Sequence, residues 1–208
     1  MEMRPIIDIA MQELTISIRN RWTIIFAVVF AALIVALSYV GIMAEGFSGM
    51  QNFTRTSASL LNLVLYIVPL VALVMGTLSF TGDKGSTELI FSQPLLRSEI
   101  LLGKMLGVFS SITLSTLVGF SVAGTIVVAA SGTDGLPKYL AFVALSLALA
   151  LVFLAVAVMV SIASKRKIKA FGISLFLWFF FVLFYDLLAL GGTLFLKGRA
   201  ANTFLFLS

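Results

Sequence analysis

Histidine and cysteine are both absent from the 208 residues. Their absence removes disulfides, Cys/His zinc sites and both Ser-His-Asp and Cys-His catalysis from this chain. Charge is scarce as well, at 11% of residues where a soluble domain carries about a quarter. What stands in its place is apolar: 61% of the residues are hydrophobic and the mean hydropathy is +1.15. A chain of this size has no interior large enough to hide so much apolar surface, so its main solvent is lipid. The net charge of +5 matters less as a total than for where it lies.

Crossing a hydrocarbon core of about 30 Å takes about 20 helical residues. Five apolar stretches reach that length: 23–43, 57–80, 105–130, 139–163 and 170–196. The second carries Asn62 and Pro69, and the proline is expected to kink it. Open strands in lipid would leave backbone groups unpaired, and these runs are too long and continuous for barrel strands. The expected fold is an all-α, polytopic transmembrane helix bundle forming a single domain over 1–208. Lys and Arg orient it. Arg4, Arg19, Arg21, Lys84, Arg97, Lys104, Lys165, Arg166, Lys167 and Lys169 fall on one side, and Arg55, Lys138, Lys197 and Arg199 on the other. That ten-to-four excess places the amino terminus in the cytoplasm.

Residues 1–21 are too polar for a signal peptide, and the apolar run after them is too long. Met3, Ile7, Ala10, Met11, Leu14 and Ile18 share one helical face, while Asp8, Gln12, Thr15 and Arg19 fall elsewhere. Ile9 and Ile16 interrupt the polar side. The pattern predicts an amphipathic helix lying in the membrane interface. In the third span Gly103, Gly107, Ser111, Ser115, Gly119 and Ala123 put a small residue at every fourth position. Such a ridge admits a neighbouring backbone, so Gly107, Ser111, Ser115 and Gly119 are read as helix-packing residues. Asp186 is the one ionisable residue inside an apolar run, where mid-membrane placement costs about 2.5–3.5 kcal/mol. Counting about 20 residues from Lys165 reaches Tyr185, which places Asp186 at the outer boundary. "LLALGGTLFL" then becomes a short re-entrant or interfacial piece.

Residues 81–104, "TGDKGSTELIFSQPLLRSEILLGK", hold six charges between two spans. "GDKGST" lacks the GxxxxGK[ST] spacing that wraps backbone amides around phosphate, so no nucleotide site is assigned to this chain. Gly82 and Gly85 suit a turn, and Ser86 or Thr87 can cap a helix. "TELIF" forms a short helix stopped near Pro94, and "LRSEILLGK" is a second, amphipathic piece leading into the third span. A short apolar helix outside the membrane has no lipid to bury against, so it fits a groove on a cytoplasmic partner.

This stretch resembles the coupling region of type-2 ATP-binding-cassette permeases, where "GTxExLxxxP" precedes "R-x-E-I-L-L-G-K". Gly85, Thr87, Glu88, Leu89 and Pro94 match the first pattern; Arg97, Glu99, Ile100, Leu101, Leu102, Gly103 and Lys104 match the second. Ser86 is inserted between Gly85 and Thr87, and the acid-rich run before the glycine is reduced to Asp83 and Lys84. "RNRW", "SLLNLVLYIVPLVAL" and "FVLFYDLL" are similar to the subgroup serving nitrous oxide reductase maturation, the Nos permeases. The resemblance implies a membrane permease subunit, without catalytic, cofactor-binding or metal residues of its own. It further implies a cytoplasmic ATPase dimer holding ATP and magnesium, a second copy of the permease, and a periplasmic partner in copper-enzyme maturation. The expected place is a bacterial or archaeal inner membrane, with no nucleic-acid partner. Such permeases have six spans, so a sixth helix is expected beyond residue 208, against Trp178, Phe179 and Phe181.

Two other classes stay open at this level. An integral-membrane enzyme, such as an intramembrane hydrolase or lipid transferase, needs polar groups converging at one depth, and the spans offer Asp186 alone. A non-catalytic membrane scaffold needs none. Met43 and Met50 carry thioethers that suit Cu(I), but scattered methionines do not make a metal site.

Overall fold

The computed structural model describes residues 3–43, 52–81, 96–131, 136–164 and 166–206, and no strand occurs among them. Six helices hold nearly all of these residues. They are α1 (Met3–Arg19), α2 (Arg21–Met43), α3 (Asn52–Phe80), α4 (Arg97–Ser131), α5 (Leu136–Ser164) and α6 (Lys167–Phe206). Among the described residues four stretches are long and apolar enough to cross a membrane: Leu61–Phe80, Ser98–Thr125, Leu136–Ser164 and Lys167–Leu188. The bent pair of α1 and α2 makes a fifth if it is counted as one span. The chain is an all-helical, polytopic membrane bundle.

Its exterior is apolar, as lipid requires. Leu145, Met159, Ile168 and Phe176 all stand largely exposed, Ile168 at 89%. A soluble protein leaves such side chains open only in small patches. The interior, by contrast, relies on small residues and edge-on aromatic rings. A Cβ at Gly76 would sit 2.6 Å from the Ala157 Cβ and 2.7 Å from Leu154 Cδ1, so only glycine lets α3 approach α5 there. Phe120 on α4 meets Phe30 of α2 and Phe142 of α5 edge-on, at centroid distances of 5.7 and 5.6 Å. The Tyr139 hydroxyl donates to the Phe120 carbonyl at 2.6 Å, which ties α5 to α4.

Three expectations are corrected. "RSEILLGK" is no separate amphipathic piece; it forms the first turns of α4, a 35-residue helix. The reason is a reciprocal cap. The Leu96 carbonyl accepts from the Glu99 and Ile100 amides, and the Glu99 carboxylate accepts from the Leu96 amide at 3.3 Å. Nor does "LLALGGTLFL" turn back on itself, because α6 runs through it without a break for 40 residues, about 60 Å. Two glycines cost about 1 kcal/mol each in a helix, too little to end one of this length.

The third correction concerns α1, which bends 67° from the helix that follows. The Asn20 carbonyl sits at the bend and accepts from the Thr23 and Ile24 amides, starting α2. The face α1 turns to the bundle carries Ile6, Ile9, Ala10, Glu13 and Ser17, which are buried or half-buried. Ile7, Met11 and Ile18 of the expected face are exposed, at 53%, 61% and 44%. An interfacial helix on lipid needs one apolar face; a helix between lipid and protein needs two. Ile9, read as a flaw in the polar side, belongs to the second.

Candidate functional site

The start of α4 is where the elements converge. Once Glu99 has capped the helix, Gly103 and Gly107 come one and two turns later on the face turned to α1. A Cβ on Gly103 would lie 2.8 Å from the Ile9 Cβ and 2.9 Å from the Ile6 carbonyl oxygen. A Cβ on Gly107 would lie 2.6 Å from both the Ala10 carbonyl oxygen and the Glu13 Cβ. Two successive glycines therefore let α1 lie with its backbone directly against α4.

Glu13 reaches from that contact to both neighbours. Its carboxylate accepts from the Ser79 hydroxyl at 2.5 Å, on the last turn of α3. Its other oxygen faces Lys104 Nζ at 3.9 Å, on the second turn of α4. The carboxylate-bearing side chain is 13% exposed and that of Lys104 is 24% exposed, so the pair is shielded without being sealed. Lys104 also lies over the Phe80 ring, 5.8 Å from its centroid, a cation–π contact with the last residue of α3. Thr81 Oγ1 bonds back to the Thr77 carbonyl, and the Thr77 and Ser174 hydroxyls meet at 2.6 Å, tying α3 to α6.

Glu13 was missed by the sequence reading. No local signal singles it out, since the same leader carries Glu2 and Asp8. Gly85, Thr87, Glu88, Leu89 and Pro94 lie outside the described residues, so the cluster marks the two roots of their segment rather than the segment itself. Gly107 and Ser111 are buried, Ser115 is half-buried and Gly119 is buried, all on one side of α4.

A second constellation lies at the middle of α3. Tyr66 donates its hydroxyl to Asp186 Oδ1 at 2.8 Å, joining α3 to α6. Trp178 of α6 donates its indole N–H to the Tyr66 carbonyl at 2.7 Å. Pro69 explains the second bond, since a proline inside α3 removes a donor and loosens the carbonyls one turn before it. Around the kink is a cavity of about 150 Å³, lined by Leu65, Tyr66, Pro69, Leu149, Phe153, Trp178, Phe181, Val182 and Tyr185. Its polar neighbours are already bonded to each other, which leaves an apolar, aromatic lining. Asn62, nearby, is exposed.

Chemically these sites hold helices together. Glu13 and Asp186 sit on different elements, Glu13 bonded to the Ser79 hydroxyl and facing Lys104, Asp186 bonded to the Tyr66 hydroxyl. Among the described residues no group of three or more acidic side chains is placed to hold a metal ion.

Comparison with known proteins bears on what these contacts serve. The family model described as ABC-2 family transporter protein matches residues 7–207. A protein of Pseudomonas aeruginosa named "Probable ABC transporter permease protein NosY" is 35% identical over 185 residues, covering 86% of this chain and 67% of its own length. A protein of the same name from Stutzerimonas stutzeri is 34% identical over 205 residues, covering 95% of this chain and 74% of its own length.

Proposed function

The chain belongs to the ABC-2 family of transporter proteins, as a NosY-like permease subunit, and on that premise we propose how it is driven. The segment between α3 and α4, centred on Glu88, docks into a groove of a separate ATPase. Two ATPase protomers hold ATP and magnesium, and each engages one of two permease copies. The roots of the segment lie in the cytoplasm, with the bundle in a bacterial or archaeal inner membrane. When ATP draws the ATPase pair together, the segment follows and tilts α3 and α4. The work reaches the periplasmic side, where it serves a solute or a partner protein in copper-enzyme (nitrous oxide reductase) maturation.

One observation carries this reading. Both roots of the segment are fastened at the same place: Glu99 caps α4, Gly103 and Gly107 seat it on α1, and Glu13 bridges Ser79 and Lys104. A loop with no mechanical role has no need of such anchorage. A push on the segment therefore reaches two long helices instead of dissipating in their first turns.

The test is Glu88→Lys in the complex with the cognate ATPase. A reversed charge in a docking groove leaves its partner unmatched, so ATPase capture is expected to weaken at least tenfold, the lower end of what a buried charge pair costs. Insertion into the membrane stays intact. Capture and turnover equal to the parent's would remove the segment from the interface.

A further inference from the structure

Glu13 stands out because one carboxylate touches both roots of the docking segment from a third helix. Its three attachments differ in kind. Against α4 it has the Lys104 ammonium, and behind it the backbone packing of α1 on Gly103 and Gly107. That packing is continuous and has no substitute in water. Against α3 it has the Ser79 hydroxyl, a hydrogen bond that a water molecule replaces with little loss at a partly exposed site.

We propose that Glu13 is a latch. It holds the roots together in the resting arrangement, and it opens at Ser79 while α1 and α4 stay joined and move as one lever. The proposal rests on the docking role given to the segment above. A pull on the segment loads α3 and α4 in different directions, and the links that must open between α3 and the α1–α4 pair at this level are the Glu13–Ser79 bond and the contact of Lys104 with the Phe80 ring. Lys104 keeps the released carboxylate compensated throughout, because it travels on the same lever. The charge is never left alone near the membrane, which is the costly alternative. The latch therefore sets the ratio of resting to open forms and has no part in docking itself.

The native chain has no cysteine, so pairs of spin labels can be placed without interference. One pair, at Gln12 and Thr81, reports α1 against α3; the other, at Gln12 and Ser98, reports α1 against α4. In the parent complex, trapping the ATPase with ATP and vanadate is expected to shift the Gln12–Thr81 distance and leave the Gln12–Ser98 distance unchanged. Glu13→Ala, which removes the acceptor and keeps the Cβ packed on Gly107, is expected to broaden the Gln12–Thr81 distribution even at rest, the ratio of narrow to broad populations falling about five- to thirtyfold. The double exchange Glu13→Lys with Lys104→Glu restores a charge pair and is expected to narrow it again. A resting distribution for Glu13→Ala equal to the parent's overturns the latch, as does a Gln12–Ser98 distance that shifts as far as Gln12–Thr81. The resting measurements need no ATPase. A parent that captures no ATPase therefore removes the docking role and leaves the latch to be judged at rest.

Discussion

At the scale of single residues, the chain places its two site carboxylates by giving each a hydroxyl from α3. Asp186 needs Tyr66 because an ionised group in a span is stabilised only by partners the protein supplies. The two halves of that bond are unequal. Asp186→Asn keeps an oxygen that accepts from Tyr66 and removes a charge, so the cost is expected below about 1 kcal/mol, as for other interhelical bonds in lipid. Tyr66→Phe leaves the carboxylate without its donor and is expected to cost about 1–3 kcal/mol. Thermal unfolding of the two variants in detergent checks the order. A larger loss for Asp186→Asn would mean that its charge, and not its hydrogen bond, is what the bundle requires.

At the scale of helices, close approach is bought by glycine and lost by one methyl group. Gly76 faces the Ala157 and Leu154 side chains on α5, whereas nothing lies within 4 Å of where a Cβ on Gly172 would stand. Gly76→Ala is therefore expected to destabilise by about 1–3 kcal/mol through overpacking at the α3–α5 crossing. Gly172→Ala has open space and gains helix propensity, so it is expected to be neutral or stabilising by up to about 1 kcal/mol. Equal effects in a melting comparison would show that helix propensity, not the crossing, governs both sites. The same logic explains α6, whose span is scarcely buried. Phe176, Phe179, Phe180 and Phe184 face outward, and no glycine or serine ridge invites a neighbour on that side.

At the scale of the whole molecule, the distribution of Lys and Arg sets one orientation for the bundle. Single cysteines can test it in a chain that has none. Ser92→Cys and Lys167→Cys are expected to react with an impermeant maleimide only from the cytoplasm, and Ser48→Cys and Thr133→Cys only from outside. Reversed labelling at any one of these positions overturns the orientation, and with it the docking of the segment beneath the membrane. The docked ATPase then has to be found on the other side.

Composition and spacing determined what depends on solvent and on covalent chemistry. A mean hydropathy of +1.15 with long uncharged runs leaves helices in lipid as the only solution, and the missing cysteine and histidine exclude whole classes of site. Capping by Glu99 and close approach at Gly103, both within "RSEILLGK", are local requirements written in residue type. The partner of Lys104 was not legible. Glu13 lies 91 residues away, and nothing local ties an acid in the leader to a lysine beyond the second helix. The second, protein-facing side of α1 was not legible for the same reason. Periodicity reports that a helix has an apolar side, but a helix seated between lipid and protein has two, and only packing decides which is which. Likewise the glycines of "LLALGGTLFL" suggested a turn, and α6 runs through them as helix. Local chemistry chose the elements; the competition among lipid, backbone and neighbouring helices chose how they meet.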